Sequence, residues 1–146
     1  MTPTSFVYVL LTVVALYQIA QWLAPYNALA EQGCILGYVY DGDTVELKCG
    51  AERLTARLQG FDTAETKDPR CAEELAHGAL ATDRLRALVK QGEVTFSQRG
   101  YDKYNRVLIR LSVDGVDVGE TLVREGLAVP YTGGKRIDWC ARLEGA

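Results

Sequence analysis

His77 is the single histidine of this 146-residue chain, and no two of its four cysteines fall in a Cys-x-x-Cys arrangement. Zinc centres draw on such clusters, so the chain is poorly equipped for one. Positive charge is not in excess either: 16 Lys and Arg face 19 Asp and Glu, for a net charge of −3. A protein held to nucleic acid by bulk charge would be basic. Any such contact here has to come from a local patch and be transient. No internal repeat and no low-complexity tract occurs. Charge of both signs is missing from the first thirty residues, which contain no Asp, Glu, Lys, Arg or His.

That uncharged stretch is informative. Phe6 to Leu23 is apolar except for Thr12, Gln18 and Gln21, and its length is near the roughly 20 residues that span a bilayer. Tyr17, Trp22 and Tyr26 suit the membrane interface. The expectation is an N-terminal transmembrane helix within residues 1–25, acting as a membrane anchor. One alternative is a cleaved signal sequence with Ala28-Leu29-Ala30 as the cleavage site, although a basic leading region is missing. Another is a buried core helix. Residues 26–33 read as a linker. Residues 34–146 are long enough for one domain with its own core.

Cys34, Cys49, Cys71 and Cys140 form an even set with three possible pairings. Cys34 and Cys49 are symmetric about Asp41-Gly42. If that dipeptide is a hairpin turn, the two face each other within disulfide reach, and Cys71 pairs with Cys140 by elimination. Four buried free thiols are the alternative. Paired cysteines imply an oxidising compartment. The domain is then expected on the extracytoplasmic side of a membrane, or secreted or periplasmic if the N-terminal segment is removed.

Ile35 to Tyr40 and Val45 to Lys48 read as strands around an Asp-Gly turn. Leu54, Ala56 and Leu58 alternate with polar residues in a third strand that Gly60 ends. Cys71 to Lys90 reads as a helix. Its apolar stripe is Leu75, Ala79, Leu85, Leu88 and Val89, with Glu74, His77, Arg84 and Arg86 toward solvent. Val94 to Ser97 and Val107 to Val113 are further strands. Asp117 and Glu120 resemble a capping box that opens a short helix, which Gly126 ends. Ala128 to Tyr131 is a brief strand. The fold class is mainly β with helices (α+β). Five short strands with one helix after the third suggest a five-stranded OB-type barrel, preceded by the N-terminal transmembrane helix.

The chemistry lies in three segments. Asp43 and Asp62 sit at strand ends and offer oxygens to a hard cation such as calcium. Alone, Asp41-Gly42-Asp43-Thr44 would be a solvated turn, and it lacks the spacing of an EF-hand loop. Glu65, three residues past Asp62, is a spare carboxylate able to orient or deprotonate water. Arg57 and Arg106 are expected on the outer faces of strands, where two guanidinium forks could hold the equatorial oxygens of a phosphodiester. Otherwise they cover the barrel surface or pair with Glu46 or Asp102.

Together these residues resemble the thermonuclease, or staphylococcal nuclease-like, family. The matching runs are Asp41 to Val45, Arg57 to Lys67, Asp102 to Arg106 and Leu122 to Ala128, within about 100 residues from near Leu36 to near Tyr131. The resemblance implies an OB barrel with helices and calcium-dependent hydrolysis of DNA and RNA that leaves 3′-phosphates. It implies that Asp43, Asp62 and the Thr63 carbonyl hold the metal. Glu65 would be the general base, Arg57 and Arg106 would bind phosphate, and Lys103, Tyr104 and Tyr131 would lie near the nucleotide. Ala64 stands where the family usually has proline, and Asn105 where glycine is common. No counterpart of the long C-terminal helix of the family's secreted prototype is expected after Trp139-Cys140. The expected substrate is nucleic acid, preferably single-stranded, acted on by a monomer. A non-catalytic nucleic-acid or protein-binding module of the same fold is the alternative, and a calcium-binding anchor protein is a third reading.

Overall fold

The computed structural model describes residues 3–23 and 33–145, with side chains for residues 5, 7–19 and 33–145. Apart from Gly33, the expected linker lies outside the described residues, as do Tyr26 and Ala28-Leu29-Ala30. Helix α1 (Pro3–Leu23) covers the apolar N-terminal segment, and its described side chains are exposed, unlike those of a buried core helix. Bilayer passage takes roughly 20 consecutive apolar residues. The unbroken run of described side chains in α1 covers residues 7–19 and includes Thr12 and Gln18. Among the described residues no helix is long and apolar enough to cross a membrane, so the expected transmembrane helix is not a feature of the described fold.

The remainder is a mixed α+β domain. Strands β1 (Ile35–Asp41), β2 (Thr44–Cys49), β3 (Glu52–Leu58), β5 (Val94–Tyr101) and β6 (Val107–Val113) order as β1-β2-β3-β6-β5. The two-residue β7 (Val116–Asp117) also pairs with β6. The β3–β6 pair is parallel and the other pairs are antiparallel. Among the described residues this sheet does not close, which corrects the five-stranded barrel to an open sheet of six strands. Gly60, expected to end β3, instead opens a fourth strand, β4 (Gly60–Thr63), which leaves the sheet and pairs with β8 (Ala128–Tyr131). Four residues carrying a buried Asp and Thr show no alternation from which a strand could be read.

Alternation does build the core. Val45 and Leu47 on β2, Ala56 and Leu58 on β3, and Val107, Ile109 and Leu111 on β6 point inward and are almost fully buried. Helix α2 (Ala72–Leu88) covers this face with Leu85 and Leu88, and α3 (Val118–Arg124) adds Val118 and Leu122. Each of these valine, leucine and isoleucine side chains stabilises the fold by about 1.5–3 kcal/mol relative to exposure. The first turns of α2 depart from the expected stripe. Leu75 is exposed, while Glu74, Gly78, Ala81 and Thr82 form the buried side. A Cβ on Gly78 would lie 2.6 Å from the Ala64 carbonyl oxygen, so the absence of a side chain lets α2 lie against the segment after β4. Arg84 and Arg86 keep 33% and 37% of their side chains exposed but are also paired. Arg84 donates twice to the Glu125 carboxylate at 2.7 Å, and Arg86 donates to the Val39 carbonyl and the Tyr38 hydroxyl. His77, expected to face solvent, is half-buried with Nε2 3.1 Å from the Gly126 carbonyl oxygen.

The β1–β2 turn sits one residue later than expected, at Gly42-Asp43, because Asp41 pairs with Thr44. Two register shifts along β1 restore the symmetry further out, where Ile35 pairs with Lys48. Cys34 and Cys49 therefore still meet, and their sulfurs form a disulfide. A second disulfide joins Cys71, the residue capping α2, to Cys140 on α4 (Trp139–Glu144). Its two cysteines are 69 positions apart, and cross-linking so long a loop restricts the unfolded chain strongly. A Cys71→Ala/Cys140→Ala variant should lose about 2–4 kcal/mol of stability. Urea unfolding under oxidising conditions measures this, and an unchanged midpoint would show that the bridge does not hold the C-terminal segment to the body.

Candidate active site

Asp43 closes the β1–β2 turn, and Asp62 and Thr63 end β4. Gly42 brings them together. A Cβ there would lie 2.8 Å from the Thr63 side chain and 2.9 Å from Ala81 Cβ, so the turn can press against β4 and α2 only without a side chain. Asp43 Oδ2 then accepts from both the backbone N–H and the hydroxyl of Thr63, at 3.1 and 3.0 Å. Asp43, Asp62 and Thr63 are 4%, 0% and 1% exposed. Two carboxylates this deep require compensating charge.

Two arginines supply it. Arg57, at the end of β3, places Nη1 2.8 Å from Asp43 Oδ2 and Nη2 3.1 Å from Asp62 Oδ1. The same side chain donates to the Asp43, Leu58 and Phe61 carbonyls and keeps only 11% of its surface exposed. It does not pair with Glu46; it is built into the interior. Arg136 comes from the loop between β8 and α4. Its Nε makes a short contact with Asp62 Oδ1, and its Nη2 lies 3.6 Å from Asp43 Oδ2 and 3.4 Å from the Thr63 carbonyl oxygen. Its Nη1 is 3.7 Å from Glu65 Oε2. Burial acts to lower the Arg136 pKa, but Asp62, Asp43 and Glu65 outweigh it and raise the pKa above the usual arginine value. The remaining oxygen of Asp62, Oδ2, accepts from Trp139 Nε1 at 3.1 Å.

Glu65 is held by its other oxygen, which accepts the backbone N–H groups of Thr66 and Lys67 at 3.0 and 3.1 Å. That leaves Oε2 facing the cluster. Asp41, across the turn, has its carboxyl pushed up to about 6, first by burial and then by the charge of Asp43. Arg106 is anchored differently from Arg57. Asp102 takes its Nε–H at 2.7 Å and the backbone N–H groups of Tyr104 and Arg106 at 2.9 Å each. Burial raises the Asp102 pKa, but these bonds to Arg106 and Tyr104 prevail and lower it. Asn105 takes φ 61° in this tight loop, a left-handed conformation that asparagine tolerates. Lys103 Nζ and Arg106 Cζ lie 4.9 and 5.6 Å from the centre of the exposed Tyr104 ring.

Asp43, Arg57, Glu65, Arg106 and Arg136 line one open cleft of about 300 Å³, which Lys103, Tyr104 and Tyr131 also line. Asp62 and Thr63 lie against it through their contacts with Arg57 and Arg136. All nine residues singled out in the sequence thus gather in one place. Arg136 and Trp139 were not legible there. Arg136 stands 74 positions from Asp62, and only a Lys-Arg pair beside a glycine loop marked the segment. The oxygens around Arg136 (two aspartates, a glutamate and a backbone carbonyl) are the hard donors that calcium takes, and they already surround a positive group.

Comparison with known proteins places the chain among nuclease relatives. The family described as staphylococcal nuclease homologue matches residues 55–139. "Endonuclease YncB" of Bacillus subtilis (strain 168) is 38% identical over 91 residues, covering 60% of this chain and 43% of that protein. "SPbeta prophage-derived endonuclease YokF" of the same organism is also 38% identical over 91 residues, covering 60% of this chain and 30% of that protein. An "Uncharacterized endonuclease" of Escherichia coli is 32% identical over 94 residues, covering 64% of this chain and 57% of that protein. The chain therefore spans roughly a third to somewhat over half of the length of these relatives.

Trp139 is 2% exposed and its indole N–H is the protein donor to Asp62 Oδ2. Trp139→Phe keeps an aromatic ring but leaves that oxygen without its donor. The variant should lose about 1.5–3 kcal/mol, the usual worth of a hydrogen bond to a charged group. A urea midpoint equal to that of the parent would show that the contact carries no weight.

Proposed function

This chain belongs to the family of staphylococcal nuclease homologues, and on that premise we propose that it is a calcium-dependent nuclease that hydrolyses phosphodiester bonds of DNA or RNA and leaves 3′-phosphate ends. The observation that carries this reading is the convergence of hard oxygen donors and guanidinium groups on one open cleft. Asp43, Asp62 and the Thr63 carbonyl would hold the ion. The chemistry supplied by bound calcium is polarisation of the phosphate and orientation of an attacking water.

The remaining work falls to side chains of the chain. Glu65 has one oxygen fixed by two backbone N–H groups and the other turned to the cleft. It is suited to take the proton of water attacking phosphorus. Arg106 keeps its Nη groups clear of Asp102, which is bonded through Nε, so that fork can bind the equatorial oxygens as their charge grows. Arg57 neutralises the two aspartates from the wall of the cleft. Tyr104 is exposed and Tyr131 half-exposed, and both offer faces on which unpaired bases can stack, which favours single strands.

For location we propose action outside the cytoplasm. Residues 34–146 would form the catalytic domain, working as a monomer, and residues 1–25 would serve for export or attachment. Two disulfides and an uncharged N-terminal stretch support that placement.

Incubation of the full chain with single-stranded DNA under oxidising conditions tests the reading. Cleavage should occur in calcium, stop in chelator, and give fragments with 3′-phosphates by mass spectrometry. DNA that is bound but left intact in calcium would instead indicate a non-catalytic binding module. Arg106→Ala should slow cleavage by about 10²–10³-fold, as for loss of one donor to a developing oxyanion, without a change in unfolding midpoint; a near-normal rate would remove Arg106 from the chemistry.

A further inference from the structure

We propose that Arg136 is a displaceable internal cation, which holds the carboxylate cluster closed and competes with the divalent ion for it. The proposal rests on the divalent-cation reading of the cluster given above. The guanidinium of Arg136 touches Asp43, Asp62, Glu65 and the Thr63 carbonyl at once. These are the oxygens a hard ion would need, and an ion placed among them would be repelled by the Arg136 guanidinium seated there.

Arg57 shares two of those carboxylates, but the two arginines are not equivalent. Arg57 is wedged inside by three backbone carbonyls. Arg136 has 44% of its side chain exposed and a single carbonyl contact at 3.4 Å. It is the one that can leave. Its loop, residues 132–138, is exposed throughout and includes Gly133 and Gly134 at φ 111° and 91°, a conformation that favours glycine. Both ends of the loop are fixed, by the Tyr131 hydroxyl bonded to the Gly134 carbonyl and by the disulfide at Cys140. The guanidinium lies between the catalytic cleft and a neighbouring cavity of about 280 Å³ lined by Glu65, Asp68, Arg70 and Glu74. Arg70 is drawn to Glu74 and Asp138, so a withdrawn Arg136 would meet Asp68 and Glu65 there. The consequence is a raised calcium threshold, since apparent affinity is the intrinsic affinity multiplied by the fraction of molecules in which the latch is open.

Calcium titration calorimetry on the full chain without nucleic acid tests this, with thermal unfolding in chelator as a second readout. Arg136→Gln should bind calcium about tenfold or more tightly than the parent and unfold at a lower temperature in chelator. Arg136→Lys keeps the charge but not the planar fork; it should fall between the two and serves if the Gln variant does not fold. Equal or weaker calcium binding by Arg136→Gln would overturn the latch and leave the cation site standing. No calcium binding by any of the three proteins would overturn both.

Discussion

Asp43 and Asp62 carry two negative charges into a region that water barely reaches, and the surrounding structure is organised by the need to offset them. An isolated buried carboxylate is prohibitively costly, and removing one partner of a buried ion pair costs about 3–5 kcal/mol because the other is left uncompensated. Arg57, Arg136, Thr63 and Trp139 all spend their polar groups on these two side chains. The cluster is therefore a fixed demand for positive charge. Guanidinium groups meet that demand, and under the proposed function a divalent ion would share it.

Meeting the demand requires segments distant in sequence to converge within hydrogen-bond reach. The Gly42 turn, the end of β4 and the loop before α4 converge because two glycines, Gly42 and Gly78, permit backbone and side-chain approaches that a Cβ would block. The Cys71–Cys140 disulfide then fixes α4 against the start of α2. Trp139, beside Cys140, carries the tie from the C-terminal helix into the carboxylate cluster. Stability and site geometry thus share the same contacts, and disturbing the bridge should be felt at Asp62.

Elements with regular apolar patterns were legible in the sequence: β1, β2, β3 and β6, most of α2, and the short helix capped by Asp117. The nine candidate site residues were legible too, because their order and spacing resemble a known family. Irregular elements were not. Four-residue β4 shows no alternation, and the open edge of the sheet depends on pairings that no local pattern records. Glu74 looks like a solvent-facing helix residue until α4 folds over it. Arg136 sits on a loop with no motif, and its significance exists only in three dimensions. Arg57 changed most in meaning. On a strand it reads as an outward phosphate ligand, whereas in the structure it is first the counter-charge of two buried aspartates.

Arg136 fills the position that the proposed divalent ion would take. Anomalous diffraction from crystals grown in saturating calcium tests it most directly. The expected result is one calcium peak bounded by Asp43, Asp62 and the Thr63 carbonyl, with Arg57 in place and the Arg136 side chain withdrawn. Arg136 still seated on Asp62, with no ion among these oxygens at saturating calcium, would contradict it.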